Sequence, residues 1–515
     1  MLGWTRSKKN RLSVVVIGVA CLILLAAITA MLFVPSPWII PVIFVAIPLS
    51  WVVVRFLPGW VFAAYVYIPF YKGGIQPYVP IDITIILAVA CIGLVLLHMR
   101  TLLAHGAARV VVLWTAFLAT LILGTTYSVN HEAPAQLAIY IALVYLPCLF
   151  AIVVARSSVY RRQFLAATMV LSAVLVLNGI VLLGTLTAFG RLEVAGSTTI
   201  STARSALLLP MVIPFLWTRL REWMKPVILG LIPASFVVAL ATGSRGPLVA
   251  FLAAVVIVQL IGRKRVVETM ILTPTLVVGG LLTLQLEVVR QALPPFALAR
   301  ITSLIDAVLG TGELDTSSRA RVWLMDLAGE MFATRPISGH GVASFEVFSR
   351  RIPGIDHLTY PHNLVVQIAA ELGLVGLSVF GLLVLASLRA LWLVPRTSQS
   401  HLAVLALAAY AMVNALFSNS VLDNRWAWAM LIMAASLPLT PPTPCERNPS
   451  GAIARDRATS PRPGRRRSGP PQGRRGSSRR FRCRTELSPG MSGRPPYPVS
   501  ARCAEKDGGW HRCFQ

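Results

Sequence analysis

The sequence predicts an all-α, polytopic integral membrane protein with about 12, and up to 14, transmembrane helices and one large extracytoplasmic helical loop. Three observations carry that expectation. Hydrophobic residues make up 56% of the 515-residue chain, charged residues only 13%, and mean hydropathy is +0.71. Soluble proteins run nearer a quarter charged. The apolar residues fall in long runs separated by short polar connections. The basic residues cluster in alternate connections, as the positive-inside rule requires of a multi-pass protein.

A membrane span takes about 20 apolar residues, with about 17 at the short end. Fourteen runs approach that length: 12–34, 38–54, 57–71, 80–97, 110–127, 135–155, 164–187, 205–218, 226–242, 247–262, 269–287, 364–388, 402–418 and 425–440. The pair 38–54 and 57–71 is interrupted by Pro41, Pro48, Pro58 and Pro69, so a shallow hairpin leaving twelve spans is the alternative. Either number is even and puts both termini on one side. With Arg6, Lys8, Lys9 and Arg11 inside, so are Arg100/Arg109, Arg156/Arg161/Arg162, Arg219/Arg221/Lys225, Arg263/Lys264/Arg265 and Arg389/Arg396. Both termini are then cytoplasmic. The first run lacks a small-residue cleavage site before Pro35 and reads as a retained span, not a signal peptide.

Residues 1–440 form the expected membrane domain, and 441–515 a basic, disordered cytoplasmic tail. From Cys445 onward there are 17 Lys and Arg against 5 Asp and Glu, which places +12 of the net +27 in the last 71 residues. Pro, Gly, Ser and Arg dominate it, and such a segment buries too little apolar surface to offset chain entropy. Contact with anionic lipid is its expected role, and nucleic acid is not an expected partner. The seven cysteines lie in apolar runs or in the tail, so no disulfide framework is expected.

Three outward connections carry arginine: 188–204 (Arg191, Arg204), 243–246 (Arg245) and the 75-residue loop 288–362. In that loop Thr316-Ser317-Ser318 can cap a helix. Trp323, Leu324, Leu327, Ala328, Met331 and Phe332 recur at helical spacing. The helix should stop before Arg335-Pro336, and a second short helix is expected over 342–350.

Three elements in these connections carry chemistry. In Thr242-Gly243-Ser244-Arg245-Gly246-Pro247 two apolar runs meet almost without a loop. A guanidinium beside the first-turn N–H groups of the next helix suits a phosphate or carboxylate; snorkelling to headgroups or pairing with an acid is the alternative. Arg319 and Trp323 are four apart on one helix face, so the indole can aim the guanidinium or the pair can anchor the helix at the interface. Arg321 points elsewhere on this reading. In Tyr360-Pro361-His362-Asn363 a histidine at a span entrance suits a general base, with a capping role as the alternative. His340, His357, His362, Glu346 and Asp356 share the loop, but no HExxH or paired-Cys spacing accompanies them. Neither a metal nor a cofactor is therefore expected. Walker A and GxGxxG sequences are also missing.

From Ser318 to Phe380 these pieces stand in one order: Arg319 and Trp323, Arg335-Pro336-Ile337-Ser338-Gly339-His340-Gly341, Phe345, Pro361-His362-Asn363, and Glu371-Leu372-Gly373-Leu374-Val375-Gly376. With Ser244-Arg245-Gly246 upstream, the chain resembles the O-antigen ligase/polymerase superfamily over roughly residues 80–440, most strongly over about 230–390. His340 stands where the family pattern has a small apolar residue. The resemblance implies a metal-independent, inverting glycosyltransferase of the GT-C type in the cytoplasmic (inner) membrane. Such enzymes serve cell-surface polysaccharide biosynthesis, including lipopolysaccharide. They move a glycan from an undecaprenyl-pyrophosphate carrier to an acceptor hydroxyl, on a glycan or glycolipid, at the outer face. It further implies that Arg245 and Arg319 hold the pyrophosphate, Arg191 and Arg204 assist, and His362 takes the acceptor proton. A polymerase of the same superfamily is one alternative. A flippase for anionic lipid-linked glycans and a membrane-anchored sensor come from other classes.

Overall fold

The computed structural model describes residues 56–71, 82–184, 191–194, 197–261, 316–352, 359–393, 398–418 and 420–439, with Val54, Gly73 and Ala299. The predicted runs 12–34 and 269–287, all of 38–54 except Val54, nearly all of the loop before Thr316, and the tail lie outside the described residues.

Every regular element among the described residues is helical. In chain order they are α1 (Pro58–Tyr67), α2 (Ile83–Leu97), α3 (His105–Thr126), α4 (Ala133–Arg156), α5 (Ser158–Val181), α6 (Thr199–Leu216) and α7 (Met224–Ala241). Then follow α8 (Arg245–Ile261), α9 (Thr316–Thr334), α10 (Ser344–Ser349), α11 (Leu364–Leu393), α12 (Gln399–Ala415) and α13 (Arg425–Ala435). Six of them, α3 to α7 and α11, are long and apolar enough to cross a membrane. The run at 57–71 resolves into a ten-residue helix and a 3-10 turn at Ile68–Phe70, about half the length a span needs.

Outward faces are apolar too. Val112, Leu123, Val181 and Leu385 are each more than half exposed, a pattern that requires a hydrocarbon solvent. Inside, α6 is buried on nearly every face and packs against α5, α7 and α12. Trp428 of α13 lies 5.3 Å from Trp114 and 5.0 Å from Phe117 of α3, ring to ring.

Backbone groups freed inside the bundle find partners. α4 contains a π turn at Ile141–Tyr145 followed by Pro147, and proline removes the donor that Leu143 would have used. The Tyr65 hydroxyl donates to the Leu143 carbonyl at 2.7 Å instead. Trp114 Nε1 likewise donates to the Tyr145 carbonyl at 3.2 Å.

The helices alternate in direction, so their connections collect at two ends. One end gathers 127–132, the described residues 182–184, 191–194 and 197–198, 242–244, 416–418, 420–424 and the loop helices α9 and α10. The other gathers 98–104, Ser157, 217–223 and Ser398, where Arg161 Nε donates to Ser400 Oγ at 3.1 Å.

Candidate active site

The loop is fastened to the bundle by a clasp that the glycine pattern builds. α11 breaks at Gly373 (φ 62°, ψ −158°), a conformation essentially reserved for glycine. The break releases two donors, the N–H groups of Leu374 and Val375, and two acceptors, the carbonyls of Ala370 and Glu371. All four are recaptured by the segment after α9. Leu374 donates to Pro336 O at 2.8 Å and Val375 to Ile337 O at 3.2 Å. His340 N donates to Ala370 O at 3.0 Å and Gly341 N to Glu371 O at 2.8 Å. Gly341 (φ 94°) is held from the other side, where a Cβ would lie 2.4 Å from Ser128 Cα. The end of α3 completes the clasp: Tyr127 Oη donates to Ser338 O at 2.6 Å, Ser128 Oγ to Val342 O at 2.7 Å, and Asn130 Nδ2 to Ala343 O at 3.0 Å. The Glu371 carboxyl accepts from Gln367 Nε2 at 3.2 Å and from the backbone N–H groups of Ala343 and Phe345, which holds the entry to α10.

α9 lies over α11 through a small separate core of Leu324, Leu327, Ala328, Met331, Phe345 and Ala370. It ends at Thr334, ahead of Arg335-Pro336 as expected, and α10 falls within the predicted 342–350. Two expectations need correction. The helix begins at Thr316, so Thr316-Ser317-Ser318 form its first turn instead of its cap. Trp323 is 52% exposed and lies off the packed face. His340, the departure from the family pattern, closes the last turn of α9: its Nε2 lies 3.0 Å from Met331 O and 2.9 Å from Thr334 Oγ1. Burial lowers its pKa against the pull of the Met331 carbonyl, so the ring is neutral near pH 7.

His362 stands where this cap enters α11. Pro361 before it is buried, and Asn363 after it is the helix cap, accepting from Val365 N at 3.0 Å and Val366 N at 3.2 Å. Between them His362 adopts φ 57°, which is uncommon outside glycine. Its ring packs against Tyr360 with centroids 4.4 Å apart, and its Nδ1 is buried with no hydrogen-bond partner. Burial pushes the imidazole down to about 4, and the nearby charges of Arg321 and Arg204 add to the depression. Asn363→Ala should lower stability by about 0.5–2 kcal/mol through loss of the cap. Thermal unfolding of the purified protein would measure it.

The arginines around His362 differ from those the sequence ranked first. At about 100° per residue, Arg321 lies on the flank of the face formed by Leu324 and Ala328, and Arg319 lies nearly opposite Ala328. Arg319 is accordingly exposed and Arg321 half-buried. Arg321, set aside on the sequence as pointing elsewhere, is the loop arginine whose charge reaches His362. Arg204 is the second. It is 2% exposed on α6, donates from Nε to Asn414 Oδ1 at 3.2 Å, and lies 5.9 Å over the Trp426 ring. Arg245 opens α8 after a three-residue connection in which Gly243 has φ 66° and Ser244 N donates to Thr242 Oγ1 at 3.1 Å. Leu192 N docks on the Ala241 carbonyl at 3.1 Å, which brings Arg191 to this same turn. The start of α8 abuts Phe417, just past the end of α12, where a Cβ on Gly246 would lie 3.1 Å from the Phe417 side chain, one turn beyond Asn414. Arg191, Arg204, Arg245, Arg321 and His362 thus occupy one end of the bundle.

Residues 229–381 match the O-antigen ligase family. That match supports placing the chain in the O-antigen ligase superfamily. No curated protein matches the chain at a significant level. The ligase-like segment contains Arg245, Arg319, Arg321, both glycine-bearing halves of the clasp and His362, whereas Arg191, Arg204 and the clasp residues of the end of α3 precede it. What the superfamily resemblance left unexplained, the geometry accounts for: Gly339-His340-Gly341 and Glu371-Leu372-Gly373 are the two halves of one backbone clasp, and they hold the loop that presents Arg321 to His362.

Proposed function

We propose that this protein is a membrane glycosyltransferase that moves a glycan from an undecaprenyl-pyrophosphate carrier to an acceptor hydroxyl at the outer face of the cytoplasmic membrane. The observation that carries this reading is His362, with an unpartnered ring nitrogen, within reach of the charges of Arg321 of the loop and Arg204 of the bundle. In a single displacement the acceptor oxygen forms a bond to the anomeric carbon as the bond from that carbon to the phosphate oxygen breaks. The electron pair leaves with the pyrophosphate, the acceptor proton passes to His362, and the configuration inverts. Negative charge grows on the leaving group, and fixed guanidiniums oppose it. Arg321 and Arg204 take that role, with Arg245, Arg191 and Arg319 at the same end for the rest of the anion. No metal is required for that stabilisation.

A base with a pKa of about 4 accepts protons weakly at neutral pH, since general bases work best with a pKa near the operating pH. The donor itself offsets this. A bound pyrophosphate brings two negative charges against Arg321 and Arg204 and raises the affinity of His362 for a proton. Substrate binding thereby strengthens the base.

The test is transfer by the purified protein in lipid nanodiscs from an undecaprenyl-pyrophosphate-linked glycan. One arm supplies a glycolipid acceptor, as a ligase needs, and the other a second copy of the donor, as a polymerase needs. Donor movement across the bilayer with no new glycosidic bond in either arm would favour a flippase.

We place twelve spans in the membrane, with both termini cytoplasmic and residues 288–362 outside. Basic residues in the short connections at the opposite end, Arg100, Arg156, Arg162, Arg219 and Arg221, support that direction. A cysteine introduced at Thr311 should react with an impermeant maleimide in intact spheroplasts. Labelling that appears after lysis alone would reverse the orientation. Truncation after Thr443 removes +12 of charge and no apolar run, so membrane insertion and transfer should both persist.

A further inference from the structure

We infer that a second polar cavity, next to the arginine-lined site, receives the saccharide of the acceptor. The cavity has a volume of about 400 Å³, inside the range of roughly 300–1,000 Å³ typical of small-molecule pockets. It lies between α4, the start of α11 and the connection from α12 to α13. Gln136, Tyr140, Gln367, Glu371, Asp423 and Arg425 line it, with Ile139 and Leu143 supplying apolar wall.

Two of these side chains point to a ligand. The Tyr140 hydroxyl and the Nε and Nη1 atoms of Arg425 are buried with no hydrogen-bond partner. Buried polar groups left unpaired cost about 1–3 kcal/mol each, and native structures keep few of them. A ligand that accepts hydrogen bonds relieves both. The remaining polar wall is acceptor in character: the carboxyls of Glu371 and Asp423, Glu346 with its Arg350 partner, and the amide oxygen of Gln136, while Gln367 Oε1 is taken up by Val421 N at 2.9 Å.

Charge decides which substrate fits. With Glu346 paired to Arg350, Arg425 is the single guanidinium on a lining that also holds Glu371 and Asp423, so a pyrophosphate with two negative charges is disfavoured. A saccharide is not. Each hydroxyl both donates and accepts, and can serve the acidic wall and the Arg425–Tyr140 wall together. Position agrees with this choice. Thr359, also on the lining, and Gln367 bracket His362 along the chain, and Arg425 adjoins Trp426, the ring under Arg204. The donor pyrophosphate thus belongs on the arginine side of His362 and the acceptor sugar on the acidic side, with its attacking hydroxyl between them. This assignment rests on the transferase reading for its meaning.

The experiment uses the full-length protein in nanodiscs and the variants Asp423→Asn, Arg425→Gln and Gln136→Leu. Gln136→Leu changes the wall from another helix, so it stands if either loop variant fails to fold. Two readouts are taken: the KM of each substrate in transfer, and direct binding of deacylated lipopolysaccharide core oligosaccharide without donor. The expected result is a rise of tenfold or more in acceptor KM, with donor KM held within about twofold, and weakened oligosaccharide binding. A rise in donor KM alone, or wild-type values for both substrates in a folded variant, overturns the cavity assignment while the transferase reading stands. If the wild type binds the oligosaccharide, the variants do not, and no protein transfers glycan, the cavity stands and the transferase reading falls. No oligosaccharide binding and no transfer by the wild type would overturn both.

Discussion

His362→Ala is expected to lower the rate of glycan transfer by about 10²–10⁴-fold, the usual contribution of one general base, while donor affinity changes little. On the proposed mechanism the donor is held by the arginines, and the imidazole contributes a proton acceptor. Because residue 362 sits at φ 57°, alanine also brings backbone strain there. His362→Asn supplies the control, since asparagine tolerates the left-handed region and cannot serve as a base. Both variants should lose transfer to a similar degree. Recovery of the wild-type rate in His362→Asn would mean that the backbone, and not the imidazole, matters. By contrast, Arg321→Ala and Arg204→Ala should weaken donor binding and turnover together, because each removes a charge-assisted contact to the pyrophosphate. Lysine should restore these losses in part, for it lacks the planar fork.

Gly373→Ala should abolish transfer without preventing membrane insertion. An alanine there would set its Cβ 2.3 Å from the Ile337 carbonyl oxygen, in a backbone region that non-glycine residues essentially avoid. The chain can escape by continuing α11 as an unbroken helix. Leu374 and Val375 would then bond to Ala370 and Glu371, and the carbonyls of Pro336 and Ile337 and the N–H groups of His340 and Gly341 would lose their partners. The loop would detach from α11, and Arg321 with it from His362. Limited proteolysis in proteoliposomes should show faster cutting between 316 and 352 in the variant. Native-like protection together with wild-type transfer would show that the clasp does not position the site.

Much of this was readable from residue order, and the limits have physical causes. Long apolar runs mark helices wherever hydrocarbon is the solvent, and Arg335-Pro336 ends α9 through local sterics alone. The apolar run starts later than α6, at 205, because Thr199, Ser201, Thr202 and Arg204 are polar or charged. The structure shows helix from Thr199, with Arg204 buried on Asn414 from another helix. Hydropathy does not register a charge whose partner is more than two hundred residues away. The sequence favours Arg319 over Arg321 because Trp323, four residues on, shares a helix face with Arg319. The packing face is set by Leu324, Leu327, Ala328 and Met331, and an exposed indole carries no such information. The glycines were visible as a pattern, but their pairing across the break in α11 depends on tertiary hydrogen bonds between segments some thirty residues apart. Asp423 lies in a connection that reads as an ordinary polar loop, and Arg425 opens the helix that follows it.

The claim at the centre of this account is that His362 takes the proton within an arginine-held anion site, and the pH dependence of transfer tests it most directly. The acid limb of kcat/KM reports the free enzyme and that of kcat the complex. With His362 near 4 in the free protein, the limb of kcat/KM should lie near that value. The limb of kcat should lie at higher pH, since the bound pyrophosphate offsets Arg321 and Arg204. Arg321→Gln should move the limb of kcat/KM upward, because removing a positive charge makes the imidazole easier to protonate. Limbs that coincide in the wild type and do not move in Arg321→Gln would contradict the assignment.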